Sequence, residues 1–128
     1  MSKEDAGARY LSIVCPSNIA ANALNAAYDT NDLGTVQGAA RAMAEAEAES
    51  AKRLSDDSTA WPGEVSREDL DTLADSYLSD LAILNTIFQA DSLDGARVFW
   101  PSDPEVGEAS QRVRLALDLS PDTSVGCE

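Results

Sequence analysis

The sequence predicts an all-α protein: a single antiparallel four-helix bundle over residues 1–128, its first helix kinked at Pro16 and its C-terminal tail tied back to that helix. Three observations predict it. Apolar residues recur at steps of three and four in four separate segments, the period of a helix with one buried face. Alanine is abundant and sits in runs free of Gly and Pro, which favours helix. Valine and isoleucine are sparse and do not alternate, so strand signals are few.

The first helix is expected over about residues 3–29. Ser2 is a hydroxyl cap and Asp5 an acid in the first turn. Tyr10, Ile13, Val14, Ala21, Leu24 and Tyr28 follow at helical spacing. Pro16 lies inside this pattern. It has no N–H for the Ser12 carbonyl and its ring crowds that carbonyl, so a kink or a division into two short helices is expected. Asn18 is placed either to bond a freed backbone group or to sit in solvent.

Asp29-Thr30-Asn31-Asp32 is a polar break, and Asp32 caps the second helix. Its stripe is Leu33, Val36, Ala40, Met43, Glu47, Ala51 and Leu54, in which Glu47 is the polar entry that weakens the apolar face midway. The Ala-Glu alternation from Ala44 to Glu49 presents small residues to a neighbouring helix. Glu49 is spaced to pair with Arg53. Trp61-Pro62-Gly63-Glu64 makes a turn. The third helix, about residues 67–90, then opens with Ser66 as cap, Asp69 at the capping-box position and Val65 stapled to Leu70. Its stripe is Leu70, Leu73, Ala74, Tyr77, Leu78, Leu81, Leu84 and Phe88.

Asp91 to Pro101 is a connector in which Gly95 ends a turn and Val98-Phe99-Trp100 is a loop pinned to the end of the core. Asp103 caps a fourth helix with Pro104 at its first position. That helix carries Val106, Ala109, Val113, Ala116 and Leu117, with Leu115 and Leu119 adjacent, and Ser120-Pro121 stops it. The tail from Asp122 is too polar to be helical. Trp61-Pro62 and Trp100-Pro101 each precede a helix, which reads as two corners covering bundle ends rather than as a repeat.

A chain of 128 residues fits one domain. Hydrophobic residues are 44% and aromatics only 5%, so the core is built from Leu, Ile, Val and Ala. Nine basic against 23 acidic residues give a net charge of −14, which repels nucleic acid and anionic membrane surfaces. That charge fits a soluble extracellular surface, a docking face for a basic partner, or an acidic mimic of nucleic acid, and the first needs no partner. The absence of histidine removes the commonest general base, zinc ligand and pH switch together. No run approaches the ~20 apolar residues that span a bilayer. The opening Met1 to Gly7 lacks the apolar core of a signal peptide, so the chain is read as intracellular or as one whose export signal has been removed.

The two cysteines bear on that choice. In an up-and-down bundle the fourth helix ends near the start of the first. Cys15 lies about 18 Å along that first helix, and the tail from Ser120 to Cys127 reaches at most about 27 Å. The tail can therefore climb the helix, and a Cys15–Cys127 disulfide is expected rather than a buried small hydrophobe plus a stray thiol. A disulfide implies an oxidising compartment.

No other constellation carries chemistry. Asp29-x-Asn31-x-Leu33-Gly34 begins like a calcium loop, but Leu33 and Ala40 stand where oxygen ligands are needed, so it is not an EF-hand. Paired carboxylates such as Glu68/Asp69/Asp71 or Asp91/Asp94 sit at helix ends, where the macrodipole accounts for them. There is no phosphate loop, no Cys-x-x-Cys and no nucleophile with a base, so no enzyme, catalytic residue, metal or cofactor is expected. Tyr77, Phe88 and Phe99 at helical spacing or bundle ends read as core. Trp61 and Trp100, in loops outside the stripes, are the candidate contact surface.

Tyr10-Leu11-Ser12-Ile13-Val14-Cys15-Pro16-Ser17-Asn18 resembles a segment near the start of the mature part of some small actinobacterial lipoproteins and secreted proteins of unknown function, and the Ala-, Asp- and Glu-rich, Lys-poor composition is similar to high-GC bacterial proteins. The resemblance covers nine residues and otherwise only helical character. It implies an extracytoplasmic bacterial domain, anchored through a lipid signal upstream of this chain, and it carries no activity. The expectation is therefore a non-catalytic cell-surface or secreted helical domain with a binding or structural role toward an unknown protein or small ligand, not nucleic acid. The alternative, from the charge, is an intracellular acidic inhibitor or nucleic-acid mimic that binds a basic partner.

Overall fold

The fold is described from a computed structural model, over residues 1–127. Four helices follow in order: α1 (Lys3–Tyr28), α2 (Leu33–Leu54), α3 (Arg67–Phe88) and α4 (Pro104–Ala116). α1 packs on α2, α2 on α3 and α3 on α4, with no strand among the described residues. The protein is an all-α four-helix bundle.

Each helix begins where a short polar side chain fills an orphan N–H. Ser2 accepts from Asp5 N, Asp32 from Thr35 N, Ser66 from Asp69 N and Asp103 from Glu105 N. The C-termini of α2 and α3 are closed from other helices. Gln37 Nε2 on α2 donates to the carbonyls of Ile87, Phe88 and Ala90 at the end of α3. Arg67 Nη1 on α3 donates to the Leu54 carbonyl at the end of α2, at 2.8 Å. α4 stops at Ala116, sooner than Ser120-Pro121 alone requires. Asp118 takes a left-handed conformation (φ 56°), and Leu119 N bonds back to Arg114 O while Asp118 N bonds to Leu115 O. This is a Schellman closure with Asp in the place usually held by Gly.

The core has two layers. The lower one joins all four helices through residues such as Tyr10, Ile13, Leu54, Leu73 and Val113, with Trp61 laid against it. The upper one is built by three helices through Leu24, Val36, Met43, Leu84 and Ile87. There the short α4 is replaced by the connector, whose Ala96 is buried and whose Leu93, Val98 and Trp100 pack from the side. The expected stripes of α1 and α2 lie inward, apart from half-buried Ala21, Tyr28 and Leu33. On α3 the stripe is displaced: Leu78 is exposed and Ile87 is buried. On α4, Leu115 is 78% exposed and Arg114 is 2% exposed. Phe99 is the outward residue of its loop, at 84% exposure, so Val98 and Trp100 alone hold that loop to the core.

α1 runs as one helix through Pro16 and is not divided. The carbonyl that Pro16 leaves without a donor is taken across the helix interface. Arg53 Nη1 on α2 donates to Ser12 O, and Nη2 to Ser12 Oγ, both at 3.2 Å. One residue on, Ser50 Oγ donates to the Ile13 carbonyl at 2.7 Å. Asn18 is not the residue that does this; its amide instead approaches Cys127 Sγ at 3.8 Å. Nor does Arg53 pair with Glu49, because its guanidinium is turned to α1.

Candidate functional site

Cys15 and Cys127 are bonded, with Cα atoms 5.1 Å apart and 112 residues of sequence separation. The route of the tail explains how they meet. Leu117 and Leu119 close over Gly7, where a Cβ would come within 3.3 Å of Leu119 Cδ2. Thr123 and Ser124 lie beside Asn18, Ala21 and Asn22, so the tail first overshoots Cys15. It then turns back. Gly126, at φ +93°, lies so close over Leu11 that a Cβ there would stand 3.0 Å from Leu11 Cδ1. Only glycine takes that backbone shape and that approach without strain.

Trp61 and Trp100 lie at opposite core layers and do not form one surface. Trp61 lines a hollow of about 280 Å³ with Val65, Arg67 and Leu70, and its indole Nε1 is buried without a partner. Trp100 lines a hollow of about 230 Å³ with Asn25, Tyr28, Arg97 and Val98. The Tyr28 hydroxyl there donates to the Ala96 carbonyl, which fixes the connector to α1. Both hollows fall below the volume that usually encloses a small ligand.

Of the carboxylates grouped by sequence, Asp69, Asp71 and Asp94 are engaged by arginines. Asp69 is 7% exposed and does not close a capping box. It accepts three bonds from Arg112 Nε and Nη2 on α4, the shortest 2.8 Å. Asp71 pairs with Arg67 and Asp94 with Arg97. Asp32 is held by the Thr35 hydroxyl and N–H, and these bonds lower its carboxyl pKa. No group of three or more His, Cys, Asp or Glu with metal-binding geometry occurs among the described residues.

A site that the sequence reading did not put forward lies between the two core layers. Glu47 on α2 is 3% exposed, and its Oε2 has no hydrogen-bond partner in the protein. It faces Asp80 on α3. Burial, together with the Asp80 carboxyl beside it, pushes the Glu47 carboxyl up to about 9. Asp80 is half-buried and is also raised, chiefly by burial. Tyr77, one turn away on α3, is raised by burial and by the charges around it. Ser50, one turn from Glu47 on α2, stands 2.7 Å from Ser17 Oγ on α1. Because Ser50 spends its proton on Ile13 O, the Ser17 hydroxyl donates to Ser50.

No protein family, curated protein or solved structure matches this chain. What the arrangement can do must therefore be read from its own groups. Two carboxyls, a phenol and two hydroxyls form a polar layer, and none of the surface hollows described above is lined by Glu47 or Asp80. Arg114 is a further buried charged residue, at 2% exposure. Its guanidinium stacks on Tyr10 at 6.0 Å and donates to the Ser120 carbonyl, while its Nε is unpartnered. The signal for Glu47 was in the sequence all along, since it stands on the apolar stripe at helical spacing. Arg114, flanked by Val113 and Leu115, gave no such signal.

Proposed function

We propose that this chain is a non-catalytic helical module of a bacterial surface or secreted protein, working in an oxidising compartment and acting through its surface on a protein or small ligand. The observation that carries the reading is the Cys15–Cys127 bond. Both cysteines are partly exposed, so a reducing cytosol has access to them. No helix is long and apolar enough to cross a membrane among the described residues. In the anchored form of this reading, a lipid upstream of residue 1 holds the domain at the envelope; metabolic labelling with a fatty acid distinguishes that form from a secreted one. The contact surface best suited to a partner is the corner of Arg97, Val98, Phe99 and Trp100, where an apolar ring stands in solvent.

The alternative, an intracellular acidic inhibitor of a basic partner, calls for acids gathered on one face. Exposed acids here stand on every helix and at both ends of the bundle, from Glu4 and Asp29 to Glu49, Asp75, Glu108 and Asp122. The reading is tested by alkylating thiols under denaturing, non-reducing conditions in protein exported to a periplasm, followed by intact mass. The expected result is monomer mass with no adduct. Two adducts would overturn the compartment argument and direct the search to cytosolic basic partners.

A further inference from the structure

We infer that Glu47 and Asp80 form a proton-operated latch at the middle of the bundle: while the pair holds a proton α2 and α3 stay closed on each other, and its loss toward alkaline pH loosens them. Glu47 is 3% exposed, has an oxygen with no donor to meet it, and sits between two apolar layers that offer an anion nothing. A second carboxyl faces it from the neighbouring helix. Two carboxyls in that position are tolerable when one proton lies between them, because the protonated acid then donates to the other; two anions repel each other with little water to screen them.

The surrounding groups leave the pair in sole command of the neutral range. α3 contributes Asp80 and Tyr77, α1 contributes Tyr10 and Ser17, and α4 contributes Arg114. The two phenols are raised above their ordinary value and stay neutral until strongly alkaline pH. Arg114 is engaged with Tyr10 and Ser120. The chain has no histidine, and its two cysteines are bonded to each other. The residue types that ordinarily titrate near neutrality, histidine and free cysteine, therefore do not compete with the pair.

The direction follows from proton linkage. In the unfolded chain Glu47 ionises near its ordinary value of 4.5, whereas in the bundle it keeps its proton up to about 9. Below the lower value both states hold the proton and the full stabilisation is present. Between the two values the folded state holds a proton that the unfolded state has lost, so stability falls as pH rises, and above the upper value the contribution is gone. A full one-proton difference corresponds to about tenfold in the folded-to-unfolded ratio per pH unit.

The experiment is urea unfolding of the oxidised protein at intervals from pH 5.5 to 9.5, for wild type, Glu47→Gln and Asp80→Asn. The wild-type folded-to-unfolded ratio should fall at least tenfold from pH 6 to 9, the slope should vanish in Glu47→Gln, and it should shrink in Asp80→Asn. An equal slope in wild type and Glu47→Gln would overturn the latch. Infrared spectroscopy of the wild type in heavy water keeps the test open if Glu47→Gln fails to fold. A protonated-carboxyl band at pH 7 that disappears by pH 10 is expected, and no such band at pH 7 sinks the proposal.

Discussion

Arg53 on α2 completes a helix to which it does not belong: its guanidinium bonds the Ser12 carbonyl of α1 at 3.2 Å, the carbonyl that Pro16 has no N–H to fill. A helix broken in its ladder is repaired by its neighbour, and the repair fixes how α1 and α2 lie against each other. Arg53→Ala should lower stability by about 1 kcal/mol, the usual worth of such a bond at a partly open site. In a Pro16→Ala background, where the backbone N–H returns, the same substitution should cost less. A double-mutant cycle by urea unfolding should give a coupling of about 0.5–1 kcal/mol; a coupling of zero would mean that Arg53 does not serve the proline.

Asp69 and Arg112 hold the short α4 to α3 by a forked charge pair. Arg112 stays half in water and Asp69 is nearly covered, so removing the acid leaves a cation that can hydrate, while removing the cation strands a buried anion. Arg112→Ala should therefore destabilise more than Asp69→Ala. Chemical denaturation at pH 7 reads the ranking, and the reverse order would refute the argument.

Reducing the disulfide should cost about 2–4 kcal/mol, below the ~5 kcal/mol that loop closure alone would give for so long a loop. The check is a comparison of urea midpoints with and without a reductant. A loss under 1 kcal/mol would show that the tail is held by Leu117 and Leu119 over Gly7 rather than by the sulfur bridge.

Asp118 closes α4 in a left-handed conformation that suits glycine better. Its bond to Lys3, 3.7 Å long and exposed at both ends, contributes little. Asp118→Gly should raise stability by about 0.5–1 kcal/mol, after the extra entropy of glycine in the unfolded chain is set against the relieved strain. Thermal unfolding would show a higher midpoint; a lower one would place more weight on Lys3 than its exposure allows.

What sequence could convey was what is decided within one or two turns. The four N-caps, the stripe of α2 and the proline at the head of α4 depend on near neighbours, and they stand as expected. The stripe of α3 went astray at Leu78 and Ile87 because the connector, rather than a fourth helix, covers the upper corner, and helical period alone does not say which arc is covered. Long-range side-chain choices were the least legible. Asp69 had a local role on offer and took a distant arginine; Arg53 had Glu49 within reach and took α1. Glu47 was placed correctly by its period and misjudged by its polarity: the register buried it, and Asp80, 33 positions on, supplied the partner. The Cys15–Cys127 bond was legible because it needed only a reach and an axis, not the path; the overshoot to the level of Asn22 and the return at Gly126 lay beyond that estimate.

The sulfur bridge also decides how the chain would carry load. Tension applied at residue 1 and just past Cys127 would pass along the first half of α1 to Cys15, cross the bridge and leave. The rest of α1, the other three helices and the upper core layer hang on that line as an unloaded loop. The module would thus transmit force while most of its surface keeps its shape, whereas the same pull on the reduced chain would run through every helix in turn.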